Sequence, residues 1–117
     1  MKFHLVIGGA DTDVKGICEA HKAIKKYAFI LHDEDPLIKP HFHVFVDVHN
    51  VFNGINVYPL EIIEWFEPYA YADIEACHSS FSNILKYFLC FRRPGLYKPS
   101  DIIANFDIMP YLNGSET

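Results

Sequence analysis

The sequence predicts an α+β domain built round an antiparallel sheet, and three observations lead there. Strand-like and helix-like segments follow one another in the order strand, helix, strand, strand, helix, strand, helix. Residues 27–48 read as two strands joined by a longish loop, which is a hairpin. The 117 residues are 50% hydrophobic and 15% aromatic, which supplies core for one compact domain and not for two full-size ones. Helices interleaved with hairpin-paired strands point to the ferredoxin-like or RNA-recognition-like kind of sheet.

Each element has a local signal. Residues 3–8 (FHLVIG) form a short apolar strand ended by Gly8-Gly9. Asp11 or Asp13 caps a helix expected to run to about Lys26, with Val14, Ile17, Cys18 and Ile24 near helical spacing. Tyr27 to Leu31 is the second strand, running into His32. Asp33 to Pro40 holds two prolines and three acids and reads as a loop. His41 to Val48 alternates cleanly and is the third strand. Residues 50–58, with Asn53-Gly54, read as a loop or irregular turn. Pro59 suits the first turn of a helix that must stop near Pro68. Tyr69 to Ala76 is the candidate fourth strand. Ser79 or Ser80 caps a helix through about Phe91, with Phe81, Ile84, Leu85, Phe88 and Leu89 as its apolar stripe. Ser100 caps an expected short helix over Asp101 to Phe106, and the segment from Met109 reads as frayed.

Charge and cysteine content narrow the function classes. Ten Lys and Arg against fifteen Asp and Glu give a net charge of −5, which argues against coating duplex DNA by bulk electrostatics. A locally basic cleft remains open, because Lys22, Lys25 and Lys26 cluster, as do Lys86, Arg92 and Arg93. Cys18, Cys77 and Cys90 form no C-x-x-C pair, so no zinc knuckle or disulfide framework is indicated and an intracellular, cytoplasmic setting is expected. No apolar run approaches the roughly 20 residues that cross a bilayer, and no membrane partner is expected.

The chemistry concentrates in Leu31 to Val48, LHDEDPLIKPHFHVFVDV. Alternation puts Phe42, Val44, Val46 and Val48 on one face of the strand and His41, His43, Phe45 and Asp47 on the other. Same-face neighbours lie about 6.5–7 Å apart along a strand, so two rings tilted toward each other chelate one cation. His32 ends the preceding strand across the hairpin, and Asp35 lies three residues on. Imidazoles with one carboxylate suit manganese, cobalt, nickel or zinc better than magnesium alone. His4, His21, His49 and His78 show no comparable arrangement and are expected at the surface or satisfied in the core. In the later helix, Tyr87 alone reads as an amphipathic core tyrosine.

These segments together resemble the HUH endonuclease domain, most closely that of plasmid rolling-circle replication initiators. The resemblance rests on Leu31-His32-Asp33-Glu34-Asp35, then Lys39-Pro40-His41-Phe42-His43-Val44, then Tyr87-Phe88-Leu89-Cys90, and Tyr97-Lys98-Pro99-Ser100-Asp101-Ile102. It spans most of residues 27–102. The chain departs from the family at Cys90, where a His is usual, and at Phe88-Leu89 in place of Leu-Thr. The resemblance implies a sheet of about five strands and a divalent metal, Mn2+ or Mg2+, held by His32, Asp35, His41 and His43. It also implies Tyr87 as the nucleophile that nicks and rejoins single-stranded DNA at an origin hairpin through a 5′-phosphotyrosine. Lys39, Phe45, Lys86, Arg92 and Arg93 are the candidate DNA contacts, with Phe45 stacking on bases. Host replication proteins are possible further partners. Residues 1–108 would be the nuclease domain, and 109–117 a flexible tail cut from a longer initiator. A single-tyrosine transposase or relaxase, and an inactive metal- or nucleic-acid-binding module, are the alternatives.

Overall fold

The computed structural model describes residues 1–8, 11–34, 39–66, 75–76, 81–90 and 97–112. In chain order its elements are β1 (Lys2–Gly8), α1 (Val14–Ala20), β2 (Ile24–His32), β3 (His41–Val48), β4 (Val51–Phe52), β5 (Ile55–Asn56), α2 (Pro59–Trp65), β6 (Glu75–Ala76), α3 (Phe81–Cys90), a 3-10 turn (Pro99–Asp101), β7 (Ile103–Ala104) and α4 (Met109–Leu112).

The fold is α+β with an antiparallel sheet in the order β6-β1-β3-β2-β7. Three long strands make its middle, and β6 and β7 are two-residue edges. β3 sits between β1 and β2 and runs against both, so those two run the same way across it.

Alternation sends the side chains of these strands to two faces, and both are covered. On one face Phe3, Leu5, Ile7, Phe29, Phe42, Val44, Val46 and Val48 pack with Val14 and Cys18 of α1 and Ile62 of α2. On the other, Ala28, Ile30 and Phe45 pack with Ile84, Leu85 and Phe88 of α3 and with Tyr97 and Ile102. Phe45 does share a face with His41 and His43, but it is fully buried under this second cluster. Its ring has no open side for a base, so the stacking role expected for it is corrected to a core role.

Several boundaries differ from expectation for local reasons. Asp13 caps α1, its carboxylate accepting the Gly16 N–H at 3.0 Å. A Cβ at residue 16 would run into that carboxylate, so glycine permits the cap. The helix stops at Ala20 instead of near Lys26. Ile24 N–H bonds the His21 carbonyl in a turn, and Ile24 is already buried in β2 opposite Val48. Residues 51–56 form a small hairpin, not an irregular loop. Asn53 (φ 53°) and Gly54 (φ 76°) take the paired positive φ of a two-residue turn.

The short helix expected over Asp101 to Phe106 is instead a 3-10 turn followed by β7, which lies along β2. Asn105 continues that edge with its side chain, accepting Tyr27 N–H at 2.9 Å and donating to the Lys25 carbonyl at 3.2 Å. The segment expected to be frayed starts with a docked helical turn. Ser82 Oγ donates to the Tyr111 carbonyl at 2.6 Å, and Lys26 Nζ donates to Tyr111 Oη at 3.3 Å. The domain therefore extends to at least Leu112. Most of the expected fourth strand (69–74), the Ser79 or Ser80 cap and residues 113–117 lie outside the described residues.

The burial of Phe45 makes a direct prediction. Phe45→Ala should lower unfolding free energy by about 3–5 kcal/mol, because it empties a filled core position. A urea or guanidinium titration of the purified variant checks this, with a cost typical of an exposed residue counting against it.

Candidate metal centre

The register of the hairpin builds the site. His32 at the end of β2 stands directly opposite His41 at the start of β3, and His43 is the next residue on the same face. All three are buried. One ligand nitrogen from each lies within 4.8 Å of the others. The rings are angled and do not lie flat on one another: His32 and His41 meet at 86°, His41 and His43 at 70°, and His32 and His43 at 57°.

The outer nitrogens explain how such a cluster is tolerated. Nε2 of His32 is 2.8 Å from the Phe88 carbonyl of α3, and Nδ1 of His41 is 2.9 Å from the Lys39 carbonyl. A carbonyl only accepts, so each of these ring nitrogens carries the proton. Nδ1 of His32, which is buried, and Nε2 of His41 then hold lone pairs. Nδ1 of His43 is 2.8 Å from Nε2 of His4 on β1. Each ring is thus held by one nitrogen, leaving the other for the cluster, which is how protein metal ligands are commonly oriented.

The donor set fits a divalent cation. Nε2 of His41 and Nε2 of His43 are 3.1 Å apart. At metal–nitrogen lengths of about 2.0–2.1 Å, nitrogens so spaced subtend about 100° at a shared ion, between octahedral and tetrahedral angles. Burial, with the neighbouring His32, His4 and His41, pushes the His43 imidazole down to about 3, and burial also lowers that of His32. Neutral imidazole is the form that binds a metal. Three nitrogen donors favour zinc, cobalt, nickel or manganese over magnesium.

Of the residues expected here, His32, His41 and His43 are brought together. Asp35, Arg92 and Arg93 lie outside the described residues. Tyr87 is in α3, one residue before the Phe88 carbonyl that holds His32; its side chain lies outside what is described. Lys86 is an exposed residue of α3. Lys39 is exposed, and its backbone carbonyl serves His41.

Two residues have a part at the site that the sequence does not assign them, although one, Tyr97, stands in a segment that carries the resemblance. His4, expected at the surface or satisfied in the core, is half-buried and bonds His43; its position in β1 matters only once β3 is known to lie beside that strand. Tyr97 is buried and stacks on His32 at 4.6 Å and 24°, while its hydroxyl accepts the Glu34 N–H at 3.1 Å. It thereby ties the start of the loop that carries Asp35 to the cluster. No periodic pattern marks it, since it stands in irregular chain.

Among the described residues no helix is long and apolar enough to cross a membrane. Comparisons with protein-family models, curated proteins and solved structures found no match for the chain.

The lowered imidazoles fix the sign of a pH effect. In the unfolded chain His43 takes a proton near its ordinary value of 6.5, and in the folded protein only near 3. Between those values the unfolded state binds more protons, so stability falls as pH is lowered from 6.5 toward 3. His32 acts in the same direction. The urea midpoint should decline across that window and decline less in His43→Leu. An equal pH slope in both proteins would contradict the assignment.

Proposed function

We propose that the chain is a metal-dependent endonuclease domain that nicks and rejoins single-stranded DNA at a replication origin and so initiates rolling-circle replication. The observation that carries this reading is the imidazole cluster joined to α3. Three buried rings offer nitrogens to one volume, and the backbone of the Tyr87 helix is bonded to one of them. The sheet order supports it as well. β6-β1-β3-β2 is the order of a ferredoxin-like sheet, to which β7 adds a fifth strand, in keeping with an HUH nuclease fold.

The residues divide the work by chemistry. A phenol with an ordinary pKa of about 10 attacks a phosphodiester poorly at neutral pH. A divalent cation held by His32, His41, His43 and Asp35 would act there as a Lewis acid on the scissile phosphate. Tyr87 Oη attacks phosphorus in line, its proton is lost to solvent, and the bond to the 3′ oxygen breaks. The 3′ oxygen takes a proton from solvent and leaves as a hydroxyl able to prime synthesis, and the 5′ phosphate stays on Tyr87. Because the phosphoester is kept, a later 3′-hydroxyl reverses the step and rejoins the strand. Lys39, Lys86, Arg92 and Arg93 would contact the DNA backbone. The strand would enter single-stranded, since a phosphate held in a duplex reaches a recessed centre poorly.

The test uses hairpin-loop oligonucleotides with randomised loops and a 3′ fluorophore, the end that remains with the protein. Mn2+ should give a fluorescent adduct that survives denaturing electrophoresis. Chelation by EDTA, Tyr87→Phe, and the double change of His41 and His43 to Ala should each reduce it by about 10³-fold or more. Tight Mn2+ binding without an adduct from any loop would overturn the nuclease reading and favour an inert metal-binding module.

A further inference from the structure

The pair formed by His4 and His43 is more than packing. Their planes differ by only 15°, and the centroids are 5.0 Å apart for a nitrogen–nitrogen distance of 2.8 Å. The extra separation is about one ring radius on each side. The two rings therefore meet edge to edge in nearly one plane, the geometry in which an N–H of one points along the lone pair of the other. His4 is itself only half-buried, whereas His43 is almost wholly buried.

Among the described residues, one proton arrangement satisfies the contacts of His41, His43 and His4 without a cation. Nδ1 of His41 donates to the Lys39 carbonyl, so its Nε2 is an acceptor. The 3.1 Å contact with Nε2 of His43 is then attractive if His43 carries its proton on Nε2. His43 Nδ1 is in that case an acceptor, and Nε2 of His4 donates to it. A cation at the cluster needs the reverse. Both Nε2 atoms must then present lone pairs, which at 3.1 Å repel each other unless a positive charge lies between them.

We propose that His4 is a positioning residue of the metal centre, and that its hydrogen bond to His43 reverses direction when a divalent cation is taken up. This rests on the metal reading above and adds the residue that sets the ligand's tautomer. The protons balance. The His43 Nε2 proton leaves to solvent, the His4 Nε2 proton passes to His43 Nδ1, and His4 gains one at its own Nδ1. Each imidazole keeps one proton throughout, so the switch carries no change in net charge. Loaded, His43 donates from Nδ1 to His4, and that bond raises the basicity of the nitrogen facing the ion.

The test pairs Zn2+ titration calorimetry with nitrogen-15 NMR of the histidine rings in the full chain. In wild type, zinc should move the His43 proton from Nε2 to Nδ1. His4→Phe, which keeps the ring shape and offers no acceptor, should weaken zinc binding by about 10–100-fold. His4→Gln places an amide oxygen near the lost Nε2 and should restore most of the affinity. Wild-type affinity in a folded His4→Phe, or a zinc-bound His43 still protonated on Nε2, would overturn the role of His4 and leave the metal centre standing. Failure of the wild-type protein to bind zinc, cobalt or manganese would overturn the metal centre itself. If His4→Phe does not fold, the wild-type tautomer and the His4→Gln affinity decide the matter.

Discussion

Everything at the site depends on the register of β3 between its two neighbours. Side-chain direction in a strand has a period of two, so a slip of one residue would carry His41 and His43 through to the face beneath α1 and α2. It would also drive Phe42, Val44, Val46 and Val48 out of the core they fill. Four apolar side chains on one face thus pin the two histidines His41 and His43 on the other. The pairing of His32 with His41 closes the hairpin at its open end, where the loop leaves the sheet.

Burial of three imidazoles would be unfavourable if their polar atoms went unanswered. The answer comes from three different places in the chain: the Lys39 carbonyl just ahead of β3, the Phe88 carbonyl inside α3, and the His4 ring on β1. The bond to Phe88 is unusual in kind, because a helical carbonyl near the end of α3 is used to hold a side chain of the sheet. Helix carbonyls in the last turn lack intrahelical partners, so this one is available without breaking the helix. Local helix chemistry thereby fixes the height of α3 over the cluster. The apolar contacts of Ile84, Leu85 and Phe88 with Ile30 and Phe45 hold it there.

The hairpin was legible because residues 41–48 alternate cleanly and a segment rich in proline and acids separates them from the apolar run 27–31; β3 begins and ends where the pattern does, whereas β2 starts earlier, at Ile24. Element ends were less so where tertiary contacts outweighed local preference. Ile24 suits a helix by spacing, yet its burial opposite Val48 claims it for β2. Asn53-Gly54 is a turn signal, but strands of two residues leave too little alternation to read. His4 shows the deeper limit. Alternation in β1 sets it apart from Phe3, Leu5 and Ile7, but nothing local says which strand lies beside it. Tyr97 meets His32 from 65 residues away in sequence, and no local pattern pairs the two.

Electrostatics bears on why three of the four proposed ligands are imidazoles. The chain carries a net charge of −5 and gains little from bulk attraction to a polyanion. Carboxylate ligands would neutralise a divalent ion and leave it a poor anchor for phosphate. Three neutral nitrogens beside the single carboxylate of Asp35 would leave about one unit of positive charge on the ion in a buried setting of low dielectric, where it acts over a longer range than in water. On the proposed function, affinity for the strand would then come from one concentrated positive point at the scissile phosphate together with the few backbone contacts of Lys39, Lys86, Arg92 and Arg93. Binding of that kind depends on the metal as well as on salt, with a salt dependence set by how many of those four basic side chains neutralise a phosphate.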